Sequence, residues 1–318
     1  MFNENQQPKL INFFEFIPQS NAQSYVTIGN FDGVHLGHQA IIRKMVQKAE
    51  GDDSSVIVIT FFPDPEDFFN PDQDAFYLTS PSEKYRHLCK LGVDSVLTFH
   101  FTQKFSELKA RAFLSVLRDK LAINTLVIGR DFALGKDRQG TLPVIQSLGQ
   151  DLGFSVEMVD PIKRKGREVS STRIRQQLAK GQVDQAAVLL GRPYSISGPV
   201  THGSDRGSRI GLPTANIAHW PKKRLPGVGV YATRVILGED EHMGITNVGL
   251  RPTFEDQKTP NIETHILDFD GNIYGEDLEL RFVQKIRDEQ KFSSANAFLQ
   301  QIKHDKSTAR KIFSNEQT

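Results

Sequence analysis

Two stretches of this chain carry residue types that do chemistry. The first is Gly29-Asn-Phe-Asp-Gly-Val-His-Leu-Gly-His38. It follows the strand-like run Ser24 to Ile28. It precedes Ile41, Ile42, Met45, Val46 and Ala49, whose spacing is helical. A strand turning into a helix is where an open α/β sheet holds phosphates. Backbone N–H groups and the helix dipole point outward there, and glycines let a phosphate come close. His35 and His38, three residues apart, are expected to project from one face of the first helical turn. Two imidazoles so placed can donate to α-phosphate oxygens and stabilise charge built up in nucleotidyl transfer. Singly, Gly29, Gly33 and Gly37 read as turn glycines and the histidines as surface residues. The full G-x-F-D-G-x-H-x-G-H pattern behind a buried strand points to a nucleotide cradle. Far downstream, Val169-Ser-Ser-Thr-Arg-Ile-Arg175 opens another helix, with Ser170, Ser171 or Thr172 as N-cap. Hydroxyls with Arg173 and Arg175 at a helix N-terminus also form a phosphate clamp. The two arginines cannot both face one ligand, and Arg175 is the favoured one.

The second stretch, His202 to Asn216, is rich in glycine and hydroxyls but lacks the P-loop pattern G-x-x-x-x-G-K-[ST]. Thr214 and Asn216 share one side of an extended strand and offer two oxygen ligands to Mg²⁺. Taken alone, Pro213-Thr-Ala-Asn216 reads equally well as a polar strand edge, and Glu263 as a solvated strand carboxylate.

The elements that must position these residues follow two grammars. Up to about Gly181, strand-like runs alternate with helix-like ones. The runs are Val56–Phe62, Val93–Phe99, Leu126–Gly129 and Val156–Val159, set against helices over Leu88–Leu91, Phe113–Leu121 and Leu142–Leu152. The continuous β-branched run from Val56 predicts a strand buried on both faces of a parallel sheet. One helix is expected from Ser171 to Leu190. After Arg192-Pro193, short β runs (Tyr194–Val200, Gly229–Leu237, Gly244–Val248, Glu263–Phe269, Leu278–Val283) are punctuated by turn residues. They predict a small antiparallel barrel closed by a helix from Ala295 to about Arg310, capped by Ser293 or Ser294. The expected domains are 1–185 and 186–318.

Length and composition agree with this division. At 318 residues the chain exceeds what one core usually fills. With 39 basic and 38 acidic residues, the net charge of +1 argues against a protein living on phosphate neutralisation, hence against nucleic acid as partner. A single cysteine, Cys89, excludes an intramolecular disulfide and reads as an inert core thiol. The longest uncharged apolar run, Val56 to Pro63, is too short to span a membrane, and a cytoplasmic protein is expected. Lys163–Arg167 and Lys222–Arg224 read as solvated basic loops.

Phe31-Asp-Gly-Val-His-Leu-Gly-His38 together with Ser170-Ser-Thr-Arg-Ile-Arg175 resembles the adenylyltransferase half of bacterial bifunctional riboflavin kinase/FMN adenylyltransferases. The stretch His202–Asn216, Asn247–Thr253, Glu263–Phe269, Tyr274-Gly275 and Arg287–Phe292 resembles their riboflavin kinase domain. The resemblance implies a Rossmann-like nucleotidyltransferase followed by a kinase barrel, with riboflavin, ATP, FMN and FAD as ligands and Mg²⁺ as cofactor. It assigns Gly29, Asn30, Phe31, Asp32, Gly33, Asp131, Ser171, Thr172 and Arg175 to nucleotide binding beside His35 and His38. In the kinase it assigns Thr214 and Asn216 to Mg²⁺ and phosphates, and Glu263 to the general base. It places Gly203, Arg209, Ile266 and Tyr274 around ATP, and Arg287 on the flavin. Two positions depart from the family pattern on the flavin side. Pro63-Asp64-Pro65 stands for Pro-His-Pro, and Ala133-Leu134 for an aromatic residue and an arginine. The alternatives are another HxGH nucleotidyltransferase, acting for example on nicotinate mononucleotide or pantetheine phosphate, a kinase with a weakened adenylyltransferase half, and a non-catalytic flavin binder.

Overall fold

The computed structural model describes residues 10–15, 23–70, 76–202, 213–252 and 258–316. It divides into two compact units, Met1–Ser171 and Thr172–Thr318.

In the first unit, β1 (Leu10–Ile11), β2 (Ser24–Ile28), α1 (Leu36–Ala49), β3 (Ser55–Phe62), α2 (Pro65–Phe69), α3 (Pro81–Cys89) and β4 (Ser95–His100) come first. They are followed by α4 (Gln103–Ser106), α5 (Ala110–Leu121), β5 (Ile123–Gly129), α6 (Leu142–Leu152), β6 (Ser155–Val159) and the hairpin β7 (Lys163–Arg164) and β8 (Arg167–Glu168). Six strands form a parallel sheet in the order β1-β4-β3-β2-β5-β6. Every residue of β2 is buried, Ser24 and Thr27 included, as expected of a strand covered on both faces. Ile42, Met45 and Ala49 of α1 pack with Leu88 of α3 over Val56, Val58 and Val127 on one face. On the other, α5 and α6 cover Val26, Ile28, Ile57, Ile59, Leu126 and Ile128. The strand order reverses between β2 and β5, and the crevice outside their carboxyl ends is where such sheets place ligands.

The second unit holds α7 (Ser171–Ala179, whose first residue closes the first unit), α8 (Val183–Leu190), β9 (Tyr194–Thr201), β10 (Ala215–Ile217) and β11 (Gly229–Leu237). It ends with β12 (Asp240–Pro252), β13 (Lys258–Ile266), β14 (Asp277–Arg287) and α9 (Ala295–Glu316). The single helix expected over Ser171–Leu190 is therefore two. Gly181, at φ +72°, donates to the Leu178 carbonyl at 2.8 Å, and Gln182 donates to that of Gln177 at 3.0 Å, a Schellman ending that stops α7. The strands close into an antiparallel barrel, β10-β13-β12-β11-β14-β9. Inside it the hydroxyls of Thr233, Thr246 and Thr264 form a buried chain with links of 2.7 and 2.8 Å. α9 lays Ala309 and Phe313 on Val230, Ala232 and Ile245 of the outer wall. Ser294 Oγ accepts from Ala297 N at 3.2 Å, as its expected capping role requires. Lys222–Arg224 is not wholly solvated: Lys223 is buried, with its ammonium 4.9 Å from the Tyr194 ring centroid.

Candidate active sites

At the carboxyl end of β2 the backbone turns through Phe31, which takes the left-handed region (φ +51°). An apolar residue is held there only by its surroundings. The Phe31 ring is buried, edge-on to His38 at 5.0 Å. His35 does not share the first helical turn with His38, as its spacing suggested. It is the N-cap of α1, with extended backbone, and its Nδ1 accepts from His38 N at 3.3 Å. That contact leaves Nε2 to carry the proton of the neutral ring. The two imidazoles stack with centroids 3.6 Å apart. Gly37 permits this arrangement: a Cβ there would lie 3.0 Å from Cε1 of His35. Burial, then His35 and Lys84, push the His38 pKa well below the usual histidine value, and its buried Nδ1 has no hydrogen-bond partner. The His38 ring, held neutral and stacked on the buried ring of His35 at a helix N-terminus, can offer an N–H donor to a phosphate.

The carboxylate of Asp32 is buried and points back into the fold. It accepts from Leu78 N at 2.9 Å and Thr79 N at 3.1 Å, holding the loop that leads into α3. The Asp32 carbonyl accepts from Ser171 Oγ at 2.9 Å. The two motifs read separately in the sequence therefore meet. Gly29 N bonds the Ile59 carbonyl at 3.0 Å, and Gly33 N bonds Thr79 Oγ1 at 3.1 Å. Asn30 offers its carbonyl to the Lys84 ammonium at 2.7 Å. Asp131 is exposed beyond the end of β5. Thr172 and Arg175 follow in α7 within the second unit. Of the two departures from the family pattern, Leu134 is buried in the core and exchanges backbone bonds with Gly140. Asp64 is buried too, with its carboxylate 3.5 Å from the Lys84 ammonium.

In the barrel, the register places Asn216 of β10 opposite Glu263 of β13, and Glu263 opposite Asn247 of β12. Ile262, Thr264 and Ile266 are buried between them in sequence, so the strand's alternation turns Glu263 and His265 to the outer face. Glu263 Oε1 accepts from Asn261 Nδ2 at 2.8 Å. His265 meets the Pro213 carbonyl through Nδ1 at 2.8 Å and so ties down the backbone just ahead of Thr214. Thr214, Ile266 and Tyr274 line one cleft of about 140 Å³ with Val200, Thr264 and the 269–273 segment. The Tyr274 ring stacks on His202 at 4.0 Å. Arg287 lies apart from this cleft. Its guanidinium holds the fully buried carboxylate of Asp305 with three bonds of 2.9–3.0 Å, and it covers the Phe292 ring. Gly203 and Arg209 lie outside the described residues.

These two constellations coincide with two family models, FAD synthetase over residues 17–173 and riboflavin kinase over residues 190–313. The bifunctional riboflavin kinase/FMN adenylyltransferase of Escherichia coli (strain K12) is 38% identical over 310 residues, covering 96% of this chain and 98% of its own. That of Listeria monocytogenes is 36% identical over 289 residues, 91% and 92% of the two chains. The chain belongs to the bifunctional riboflavin kinase/FMN adenylyltransferases. A solved structure described as a macrolide-efflux protein from Streptococcus pneumoniae superposes with a TM-score of 0.87 at 30% identity, covering 94% of this chain and 97% of that one. No helix among the described residues here is long and apolar enough to cross a membrane.

As a riboflavin kinase/FMN adenylyltransferase, the chain phosphorylates riboflavin to FMN and adenylylates FMN to FAD, each with ATP. Around the two candidate sites stand residues the sequence did not announce. Lys84 supports the histidine turn, His202 lies on Tyr274, and Asp305 engages Arg287. For Lys84 a signal existed. Ser80 and Glu83 form a capping box, with bonds of 3.2 and 2.8 Å, that fixes where α3 starts and which of its faces meets the sheet.

Proposed function

We propose that the first unit transfers the adenylyl group and the barrel phosphorylates riboflavin, with the following roles. In the barrel, Glu263 accepts the proton of the ribityl 5′-hydroxyl as that oxygen attacks the γ-phosphorus of ATP; the γ-phosphoryl group moves and ADP leaves. Thr214 and Asn216 offer a hydroxyl and an amide oxygen, hard donors that fit Mg²⁺. Among the described residues there is no cluster of three or more His, Cys, Asp or Glu suited to a metal. Such an ion would complete its shell from water and nucleotide phosphates. When bound, Mg²⁺ supplies charge neutralisation at those phosphates. Tyr274 and Ile266 hold the nucleotide in the cleft, and the Arg287–Asp305 pair fixes the end of β14 for the flavin.

In the first unit, an oxygen of the FMN phosphate attacks the α-phosphorus of ATP and pyrophosphate leaves. The attacking phosphate is already an anion, so no general base is required. His35 and His38 stabilise the charge that accumulates on the α-phosphate oxygens. The observation that supports this most is the stacked pair of imidazoles at the N-terminus of α1, His35 buried and His38 partly so, on a turn braced by Ser171. His38→Ala supplied with riboflavin, ATP and Mg²⁺ should therefore accumulate FMN with no FAD. Undiminished FAD formation, followed by chromatography, contradicts the role given to the histidines.

A further inference from the structure

Lysine is rarely buried, because its ammonium must be compensated. The side chain of Lys84 is only 6% exposed. It projects from the first turn of α3 and gathers three oxygens from three other segments. These are the Asn30 carbonyl at 2.7 Å, Thr60 Oγ1 at 3.3 Å and Asp64 Oδ1 at 3.5 Å. The shortest bond goes to the neutral carbonyl of the histidine turn and the longest to the carboxylate. A group retained only to neutralise Asp64 would show the opposite order. Thr60 Oγ1 itself donates to the Asn30 carbonyl at 3.0 Å, so that carbonyl is gripped twice. The next residue, Phe31, bears on His38.

We propose that Lys84 is a positioning residue of the adenylyl-transfer site: its buried ammonium pins the turn that carries His35 and His38 and sets a fixed positive charge beside them, where negative charge grows on the transferring phosphate. This rests on the role given to the two histidines above. Fixed charge in a desolvated site acts on a transition state without reorganisation. The groups that face His38 are His35 from the preceding turn and Lys84 from α3, with Phe31 packed on its edge; Asp64, ahead of α2, is drawn to Lys84. The charge of Lys84 also disfavours protonation of His38.

The test is Lys84→Met, which keeps the length of the side chain and removes its charge. FAD formation from FMN and ATP should lose at least about tenfold in kcat, with both KM values within about threefold of the parent. FMN formation from riboflavin in the same preparation should be unchanged. The His38 ring signals, followed by NMR, should titrate at higher pH than in the parent. A purely structural lysine would lower thermal stability without moving that titration. Unchanged kcat or an unmoved titration overturns the proposal. If Lys84→Met leaves Asp64 uncompensated and does not fold, Asp64→Asn/Lys84→Met, which removes both charges, decides by the same readings. Failure of both to fold overturns it as well, since Lys84 would then serve only the fold. His38→Ala, run alongside, separates the two claims. Full FAD formation there overturns the role of the histidines, whereas full FAD formation in Lys84→Met alone overturns only this inference.

Discussion

Ser171 Oγ donates to the Asp32 carbonyl at 2.9 Å, joining two motifs that lie 139 residues apart in the chain. The bond brings Ser171, the last residue of the first unit, against the turn between β2 and α1. The other end of Asp32, its carboxylate, holds the backbone of Leu78 and Thr79. One residue thus fastens three segments, and the position of the stacked histidines depends on all of them.

Removing that bond should be felt in one reaction only. A hydrogen bond of this kind is worth about 0.5–1.5 kcal/mol, so Ser171→Ala should lower kcat/KM for FAD formation by about 2- to 10-fold. Riboflavin phosphorylation should stay at its parental rate. Steady-state kinetics with each substrate, riboflavin or FMN, checks this. Equal losses in both reactions would show that Ser171 serves the whole chain and not the cradle.

Much of the architecture was legible in the sequence, for reasons that can be named. The run from Val56 to Phe62 is uncharged and, Thr60 apart, apolar because β3 is covered on both faces, and this alone points to a parallel sheet. The barrel was legible from turn residues spaced along short β runs. Its strand ends were not: β12 runs from Asp240 to Pro252, well beyond the segment Gly244–Val248, since pairing with β11 and β13 carries polar residues into the ladder. The spacing of His35 and His38 suggests one helical turn because spacing alone cannot tell an N-cap from a first turn. α3 begins at Pro81 and not near Leu88, because the Ser80/Glu83 capping box starts the helix ahead of its apolar residues. The capping box places Lys84 on the sheet-facing side of α3, but its role is not legible in the sequence, because its oxygens come from 54, 24 and 20 residues away. Arg287 was legible as an important residue, but its bond to a buried carboxylate on α9 was not.

That bond makes a second prediction. Asp305 is fully buried, and Arg287 is the cation that meets it. Arg287→Ala strands a buried carboxylate of α9, which costs about 3–5 kcal/mol. Urea unfolding followed through Trp220, the single tryptophan of the chain, reports on this unit. Arg287→Ala/Asp305→Leu should regain most of the loss. A loss below about 1 kcal/mol in the single variant would show that the pair contributes as little as an exposed one.

A third prediction concerns pH. Burial lowers the pKa of His38, and also of His265 and His219. In the unfolded chain each takes up a proton as pH falls through about 6.5, while the folded chain resists it. Their contribution to stability is therefore intact above that value and diminishes below it. Calorimetry of the parent between about pH 7.5 and 6.0, above the carboxylate range, should show a falling melting temperature. His38→Gln should show a shallower fall in the transition of the first unit. An identical slope would mean that His38 is protonated as readily in the folded chain as in the unfolded one.

The division of labour between the two units is tested most directly by Glu263→Gln, assayed once with riboflavin and once with FMN, each with ATP and Mg²⁺. Glu263 stands opposite Asn216 and Asn247 on the barrel wall, in the unit that does not contain His35 and His38. The variant should form no FMN from riboflavin and yet convert supplied FMN to FAD at the parental rate. FMN formation at the parental rate, or loss of both reactions together in a folded protein, would contradict the account.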